Sequence, residues 1–310
     1  MWMSIIAFSA TAQTTQLATL QHQDQVSIFY GAESLKQAVA AASDGDVITL
    51  SAGQFDAPTF DKELTVRGAG MGIINAPGYS IPTIINGTCQ ANKKLTIEAI
   101  HINDLKVAED VTIVKSWVGG LRSSLSHYAG NVTIIQSSLH IGNLYNGSIT
   151  GINSRIANSF TNSNYFKSAN LINCVLHYRD MIYSIYIYQL TLTNCIIRNG
   201  DPDARIDLHN SVAAYNCIFC GKIDTGAVSL DSTNLIRTDI TTVFKDGGYC
   251  ELLDEFKSFA TTDGTEVGIY GGNLGFTQTP NNPQITKFTV APRTSADGKL
   301  SVEIQVEGME

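Results

Sequence analysis

The feature that most constrains this chain is an Asn-Cys pair that recurs at nearly constant spacing: Asn173-Cys174, Asn194-Cys195 and Asn216-Cys217. The steps are 21 residues (195 − 174) and 22 residues (217 − 195), and each pair closes an apolar run. A self-similar period of this length is the signature of a solenoid, in which each unit forms one turn of a stack. The same phrase extends in both directions. Upstream fall Ile152-Asn153-Ser154, Ile135-Gln136-Ser137, Val114-Lys115-Ser116, Ile97-Glu98-Ala99 and Val66-Arg67-Gly68; downstream falls Ile236-Arg237-Thr238. The expected anchors are therefore Gly68, Ala99, Ser116, Ser137, Ser154, Cys174, Cys195, Cys217 and Thr238, nearly all small, as an interior position at the start of a strand requires. The residue before each, often Asn, fits a tight turn, because Asn tolerates left-handed backbone. Stacked amides at strand spacing also suit an asparagine ladder.

Stacked cysteines on parallel strands point the same way, which disfavours disulfide geometry among Cys174, Cys195 and Cys217. They read as buried thiols acting as small hydrophobes. A pairing among Cys89, Cys220 and Cys250 stays open at this stage. Charged residues make up only 15% of the 310 residues, which suits a β-rich chain with uncharged turns. The formal net charge of −8 argues against nucleic acid or an anionic membrane as partner.

Trp2 to Phe8 is a short apolar run, and Ala10-Thr11-Ala12 before Gln13 has the small-x-small form of a signal-peptidase site. Residues 1–12 are thus expected to be a signal peptide, with the mature protein exported: secreted, periplasmic or at the cell surface. The signal run is too short to span a bilayer, so no transmembrane segment is expected in the mature chain. Val26 to Tyr30 reads as a first strand after a polar lead-in. A helix over 34–43 follows, with Ser34 and Gln37 as a capping box and Leu35, Ala38, Val39 and Ala42 as one apolar stripe.

Ser34-Leu35 with Ala38 to Ala42, Gly45-Asp46-Val47-Ile48-Thr49-Leu50, Gly53 with Phe55, and Leu64-Thr65-Val66-Arg67-Gly68-Ala69-Gly70 resemble the N-terminal region of secreted bacterial right-handed parallel β-helix proteins of the pectate-lyase-like superfamily. The resemblance is dense over residues 34 to 70 and is otherwise carried by the repeat period. It implies a helix capping the open end of the coil, where unpaired backbone groups would otherwise invite aggregation. The expected fold is all-β: a single-stranded right-handed parallel β-helix of about ten turns over 13–278, capped by the helix and followed by a C-terminal β tail over 279–310. The stretch with Gly72, Pro77, Gly78, Pro82 and Gly87 reads as a loop leaving the coil, and Asp263 to Gly272 as its closing segment.

The interior of a solenoid is occupied by packing, so function belongs on an outer face. Strand alternation places Ile185, Ile187, Ile206, Leu208 and Phe166 inward. This leaves an outer strip with Tyr145, Tyr165 and Tyr186 in one column and Lys167, Tyr188 and His209 in the next. Aromatic faces one strand spacing apart suit a carbohydrate chain, and the resemblance implies substrate binding on such a face. Tyrosine's strand propensity alone also yields such columns. The densest polar cluster, Arg198 to His209, supplies the elements of a polysaccharide lyase. Arg205 or Lys167 would serve as base, with Asp203, Asp207 and His209 beside it, and Asp201, Asp203 and Asp207 as oxygen ligands for calcium. A glycoside hydrolase would use Asp203 with Asp207 as its acid pair. The leading expectation is an exported protein that binds a polysaccharide or surface glycan without catalysis and without a cofactor. The alternatives are a lyase or hydrolase acting on an acidic polysaccharide, with calcium if a lyase, and a structural or adhesive surface solenoid.

Overall fold

Seven corners with left-handed backbone set the architecture: Ala99, Lys115, Gln136, Asn153, Asn173, Asn194 and Asn216, all with φ between 45° and 56°. In the computed structural model each corner joins a strand of one long sheet (sheet A) to a strand of a second (sheet B), giving an all-β parallel solenoid of about seven turns. The structure describes residues 16–124, 130–142, 144, 146–158, 166–178, 183–184, 187–199, 205–207, 211–224, 230–259, 263–281, 284–290, 298–299 and 302–307. The expected signal peptide, residues 1–12, lies outside them.

Each corner solves a local hydrogen-bonding problem. The left-handed residue sends its N–H to the following turn, as Asn194 does to the Tyr215 carbonyl, 3.0 Å. Two residues later the N–H points to the preceding turn, as Ile196 does to the Cys174 carbonyl, 2.9 Å. The residue between has no carbonyl in reach, and a buried N–H left unpaired is costly. The small anchor side chain of the next turn supplies the acceptor. Ile100 N donates to Ser116 Oγ, Ser116 N to Ser137 Oγ, Ser137 N to Ser154 Oγ and Cys195 N to Cys217 Sγ, at 3.0 to 3.4 Å. Each hydroxyl or thiol in turn donates to the carbonyl two residues before it, as in Ser154 Oγ to Ile152 O, 2.7 Å, and Cys174 Sγ to Ile172 O, 3.3 Å. All six cysteines are free, and the three anchor thiols are fully buried.

The register corrects both ends of the expected repeat. Ile97 pairs with Ile113, not Val114, so Ala99 occupies the left-handed corner and Ile100 the interior position. Small size placed Ala99 with Ser116 in the sequence, but backbone handedness decides. At the other end, Ile236 pairs with Phe219 in sheet B, and Cys217 N donates to Asn234 Oδ1, 3.0 Å. Asn234, not Thr238, therefore ends the ladder, 17 residues after Cys217 (234 − 217). The coil is shorter than the ten turns expected.

Inside, Leu64, Leu95, Val111, Val132, Ile149, Ala169 and Leu190 form one column of sheet A, with Val66, Ile97, Ile113, Ile134, Leu171 and Leu192 beside it. Ile102, Val118, Leu139, Ile156, Leu176, Ile197 and Phe219 form the facing column of sheet B. At the start, the strand Leu17–His22, which the sequence shows only as a polar lead-in, pairs antiparallel with both Gln25–Tyr30 and Val47–Leu50. The helix Ser34–Ala41 covers this end and buries Leu35, Ala38 and Val39 as its stripe predicts. Ser34 is the first helical residue and not a cap: no side chain caps the N-terminus, and Ser34 Oγ is buried without a partner. The insertion after Gly68 rejoins the coil at Thr83–Ala91, so Gly87 lies in a strand, at a register shift.

The closing segment is a strap. Running back along the row of corners, it accepts hydrogen bonds from Asn173 Nδ2 at the Gly271 carbonyl, from Asn153 Nδ2 at Ile269 and Gly271, and from Gln136 Nε2 at Leu274 and Gly275. The corner amides thus hold the strap and do not form the expected amide-to-amide ladder. Gly272 makes the approach possible: a Cβ there would sit 2.4 Å from Asn173 Nδ2. Farther on, Gln278 bonds Ile73 and Ala76 of the insertion. The tail strands Gln284–Val290 and Val302–Glu307 pair antiparallel, close to their expected positions.

Candidate functional site

Sheet B has an outer face, and two columns of side chains emerge on it. The first residues of its strands stack as His101, Trp117, Ser138, Arg155, Val175, Ile196, Ile218 and Leu235. Two positions on, His140, Ala157, His177, Arg198, Cys220 and Arg237 stack in the same register. The strand period of two requires both columns to face away from the interior, where Leu139, Ile156, Leu176 and Ile197 are buried.

The two ends of this face differ. At the later turns Val175, Ile196 and Ile218 are roofed by Val243, Phe244, Leu252, Phe256, Val267, Ile269 and Phe276, forming a second apolar core outside the coil. At the earlier turns Met71 and Ala76 of the insertion belong to the same core and half-buried Trp117 packs against it, and two cavities open beside this cover. One, of about 330 Å³, is lined by Trp117, Gly119, Ser138, His140, Arg155, Ala157 and His177. The other, of about 440 Å³, is lined by Arg155, His177, Arg198, Thr242, Phe244, Tyr249 and Cys250, among others. They meet at Arg155 and His177. The result is a trough crossing five successive strands, from Trp117 to Arg198, at one rung per strand spacing of about 4.8 Å.

Trp117 forms the aromatic end. Its ring stacks on His101, centroids 4.0 Å apart and 35° between planes. Gly119 leaves room for it, since a Cβ there would lie 2.8 Å from the indole and 2.5 Å from the Asn103 carbonyl. Burial holds the His101 imidazole below its usual pKa and so favours its neutral form.

The opposite end is basic. Arg155 Nη2 lies 3.1 Å from His177 Nδ1, and Arg198 Nη2 lies 3.1 Å from His177 Nε2. Arg198 also donates from Nη1 to Thr242 Oγ1, 3.3 Å, and its guanidinium carbon sits 5.3 Å from the centre of the Phe244 ring. Burial lowers the Arg198 pKa, and the charge of Arg155 adds to that. Burial pushes the Cys250 thiol up to about 11, against the pull of the two arginines. That thiol is protonated at neutral pH and is no nucleophile.

The expected site residues fare differently. Tyr145, Tyr165, Tyr186, Asp201, Asp203 and His209 lie outside the described residues. Tyr188, Arg205 and Asp207 are described as backbone only. Lys167 is exposed and falls level with Tyr188, between the pairs Phe166–Ile187 and Ser168–Gln189, as the sequence column has it. Asp207 pairs with Ser184 on a short separate sheet formed by Tyr183–Ser184, Arg205–Asp207 and Lys222–Asp224. Among the described residues no group of three or more His, Cys, Asp or Glu side chains is placed to hold a metal ion. No helix among them is long and apolar enough to cross a membrane.

One position after a repeated leucine, His140 and His177 read from the sequence as turn residues; the structure places both on strands, facing outward. The signal was present in the phrase itself, because Leu139-His140 and Leu176-His177 sit at the same distance from their anchors, with Ile197-Arg198 at the matching place one turn later. Comparison of the chain with protein-family models, with curated proteins and with solved structures found no match.

Proposed function

We propose that this is an exported solenoid that binds a polysaccharide or surface glycan along the outer face of sheet B, without catalysis. The observation that carries the reading is the trough itself. It is open and elongated, runs across the rungs, and combines a stacked aromatic end with polar and basic side chains at regular intervals. An extended glycan presents repeated C–H faces that stack on indole and hydroxyls that need donors and acceptors, and a ladder of rungs repeats on a comparable length scale. The likeness of residues 34 to 70 to right-handed β-helix proteins of the pectate-lyase-like superfamily, some of which bind polysaccharides on an outer face, supports the same reading. Exposed Lys167, level with Tyr188 on sheet A, makes the tyrosine strip expected from the sequence a second place to test for the same ligand class.

Affinity electrophoresis of the full chain through gels carrying a panel of polysaccharides tests this directly. At least one polymer should retard the protein, and Trp117→Ala or His140→Ala should abolish or weaken retardation several-fold while Tyr186→Ala and Tyr188→Ala change it less. Retardation lost only in the tyrosine variants would move the site to the strip. No retardation by any polymer would contradict glycan binding and favour a structural or adhesive role. The lyase alternative predicts unsaturated uronate ends, seen as rising ultraviolet absorbance with added calcium; binding without that product supports the non-catalytic reading.

A further inference from the structure

We propose that the Lys115 amine and the Asn281 carboxamide condense into an isopeptide bond, with Glu98 as the proton carrier, so that the strap is stapled covalently to the coil. The bond does not depend on what the trough binds.

Along the row of corners, Asn173, Asn153 and Gln136 tie the strap through neutral side-chain amides. The next corner breaks that pattern. Lys115 stands there in left-handed backbone, φ 45°, a conformation that suits Asn better than Lys. Its Nζ reaches the carboxamide oxygen of Asn281 at 2.5 Å, across 166 residues of sequence. Lys36, Lys93, Lys94 and Lys245 are partly or fully exposed, and each meets a carboxylate. Lys115 is 3% exposed and is the only buried lysine among the described residues. Among them, the one partner of its amine is that neutral amide. Burying an ammonium without a counter-charge in contact is costly, and conversion to a secondary amide removes the charge.

The groups that such a reaction needs are all at hand. The nucleophile must be a neutral amine, and burial holds the Lys115 amine below the usual lysine pKa, against the opposing pull of the Glu98 carboxylate. Its target, Asn281 Cγ, lies one bond behind the oxygen that Nζ already touches. Glu98 is buried; its Oε2 accepts from Arg67 Nε, 3.2 Å, while its Oε1 is buried with no hydrogen-bond partner. An orphaned buried oxygen calls for an explanation, and a proton in transit supplies one. In the reaction, Lys115 passes a proton to Glu98 and Nζ attacks Asn281 Cγ. The Nζ–Cγ bond forms, the Cγ–Nδ2 bond breaks, and Glu98 returns the proton to the departing nitrogen. An ammonium and a carboxamide thus become a secondary amide and an ammonium ion, and nothing is oxidised or reduced. Asn281 is exposed, which gives the ammonia a way out.

Mass spectrometry of the full chain tests the bond. Under denaturing conditions the wild type should be lighter than its sequence by one ammonia, while Lys115→Arg and Asn281→Ala keep their full mass. Succinimide formation at an asparagine also loses ammonia, so digestion with trypsin decides. A branched peptide should join the segment holding Lys115 to the segment holding Asn281, with no cleavage after Lys115. Glu98→Gln, which keeps the shape but cannot carry a proton, should form the link about a hundredfold more slowly or worse and leave a population at full mass. Full mass with no branched peptide, in a wild-type chain that circular dichroism shows to be folded, overturns the bond, and this readout needs no variant to fold. Loss of ammonia without the branched peptide overturns it equally. Linkage in Glu98→Gln as fast as in the wild type overturns the part given to Glu98.

Discussion

At the scale of single residues, the small anchor of each turn is a hydrogen-bonding group as much as a space-filler. Ser137 illustrates both halves of the role, accepting from Ser116 N at 3.1 Å and donating to the Ile135 carbonyl at 2.7 Å. Ser137→Ala should therefore cost about 1–3 kcal/mol, the price of an orphaned buried N–H. Ser137→Cys, which restores the pattern found at Cys195 and Cys217, should cost less. Urea unfolding of the two variants would show this, and equal losses would contradict it. The period, the small size and the left-handed Asn are all legible in the sequence. The need for an acceptor is not, because it arises only from the reversal of backbone hydrogen-bond direction at the corner. A second residue-scale case is Asp46, buried beneath the helix end. Its carboxylate accepts from Ser43 N at 2.7 Å and meets His22 Nδ1 at 2.7 Å. Burial acts to raise its pKa, but the Ser43 hydrogen bond and His22 outweigh it, so the folded value lies below the usual one. A depressed carboxylate pKa stabilises the fold above the unfolded-state value, about 3.9, and that contribution disappears as pH falls through the folded value. Asp46→Asn should thus be less stable than wild type at neutral pH, with the gap closing as the pH falls below the unfolded-state value. A gap independent of pH would refute the assignment.

Among the elements, the strap from Asp263 to Asn281 links distant turns without joining either sheet. It is tied by side-chain amides of Gln136, Asn153 and Asn173, and Gly268 N donates to the Asn194 carbonyl at 2.9 Å. Asn153→Ala removes two of these bonds, from Nδ2 to Ile269 and Gly271, and should cost about 1–2 kcal/mol. Its effect should be local. Hydrogen exchange ought to rise across 267–276, while Val111–Val114 and Asn131–Ile135 in the coil interior stay protected. Exchange rising equally in both regions would show that the strap and coil unfold as one unit. The closing segment was visible in the sequence as a glycine-rich run from Asp263 to Gly272. Its destination was not, since a left-handed Asn pattern states the backbone conformation but says nothing about what its side chain binds. The same limit explains the slipped register at Ala99. Residue size favours Ala99 as the interior residue there, and the handedness of the corner overrides it in favour of Ile100.

For the whole molecule, sheets A and B each turn a face outward, and the sequence drew attention to the edge of one while the structure offers geometry on the other. Tyrosines are conspicuous in a sequence, whereas the trough depends on His140, Arg155, His177 and Arg198, which come from four turns; His140, His177 and Arg198 share the third place after their anchors, but Arg155 does not. Only the register of sheet B makes them neighbours, and the roof over Val175, Ile196 and Ile218 closes one end of the face. A ligand on this trough must shield the sheet B strands and the segment 242–250 together, while a ligand beside Lys167 must shield the sheet A strands Phe166–Ile172 and Ile187–Thr193. Hydrogen-exchange footprinting of the full chain, with and without a polysaccharide that retards it, is therefore the most direct measurement of the central claim. The account predicts added protection in Trp117–Ser123, Ser138–Ile141, Arg155–Asn158, Val175–Tyr178 and Ile196–Asn199, together with 242–250. Protection confined to Phe166–Ile172 and Ile187–Thr193, with sheet B unchanged, would contradict it.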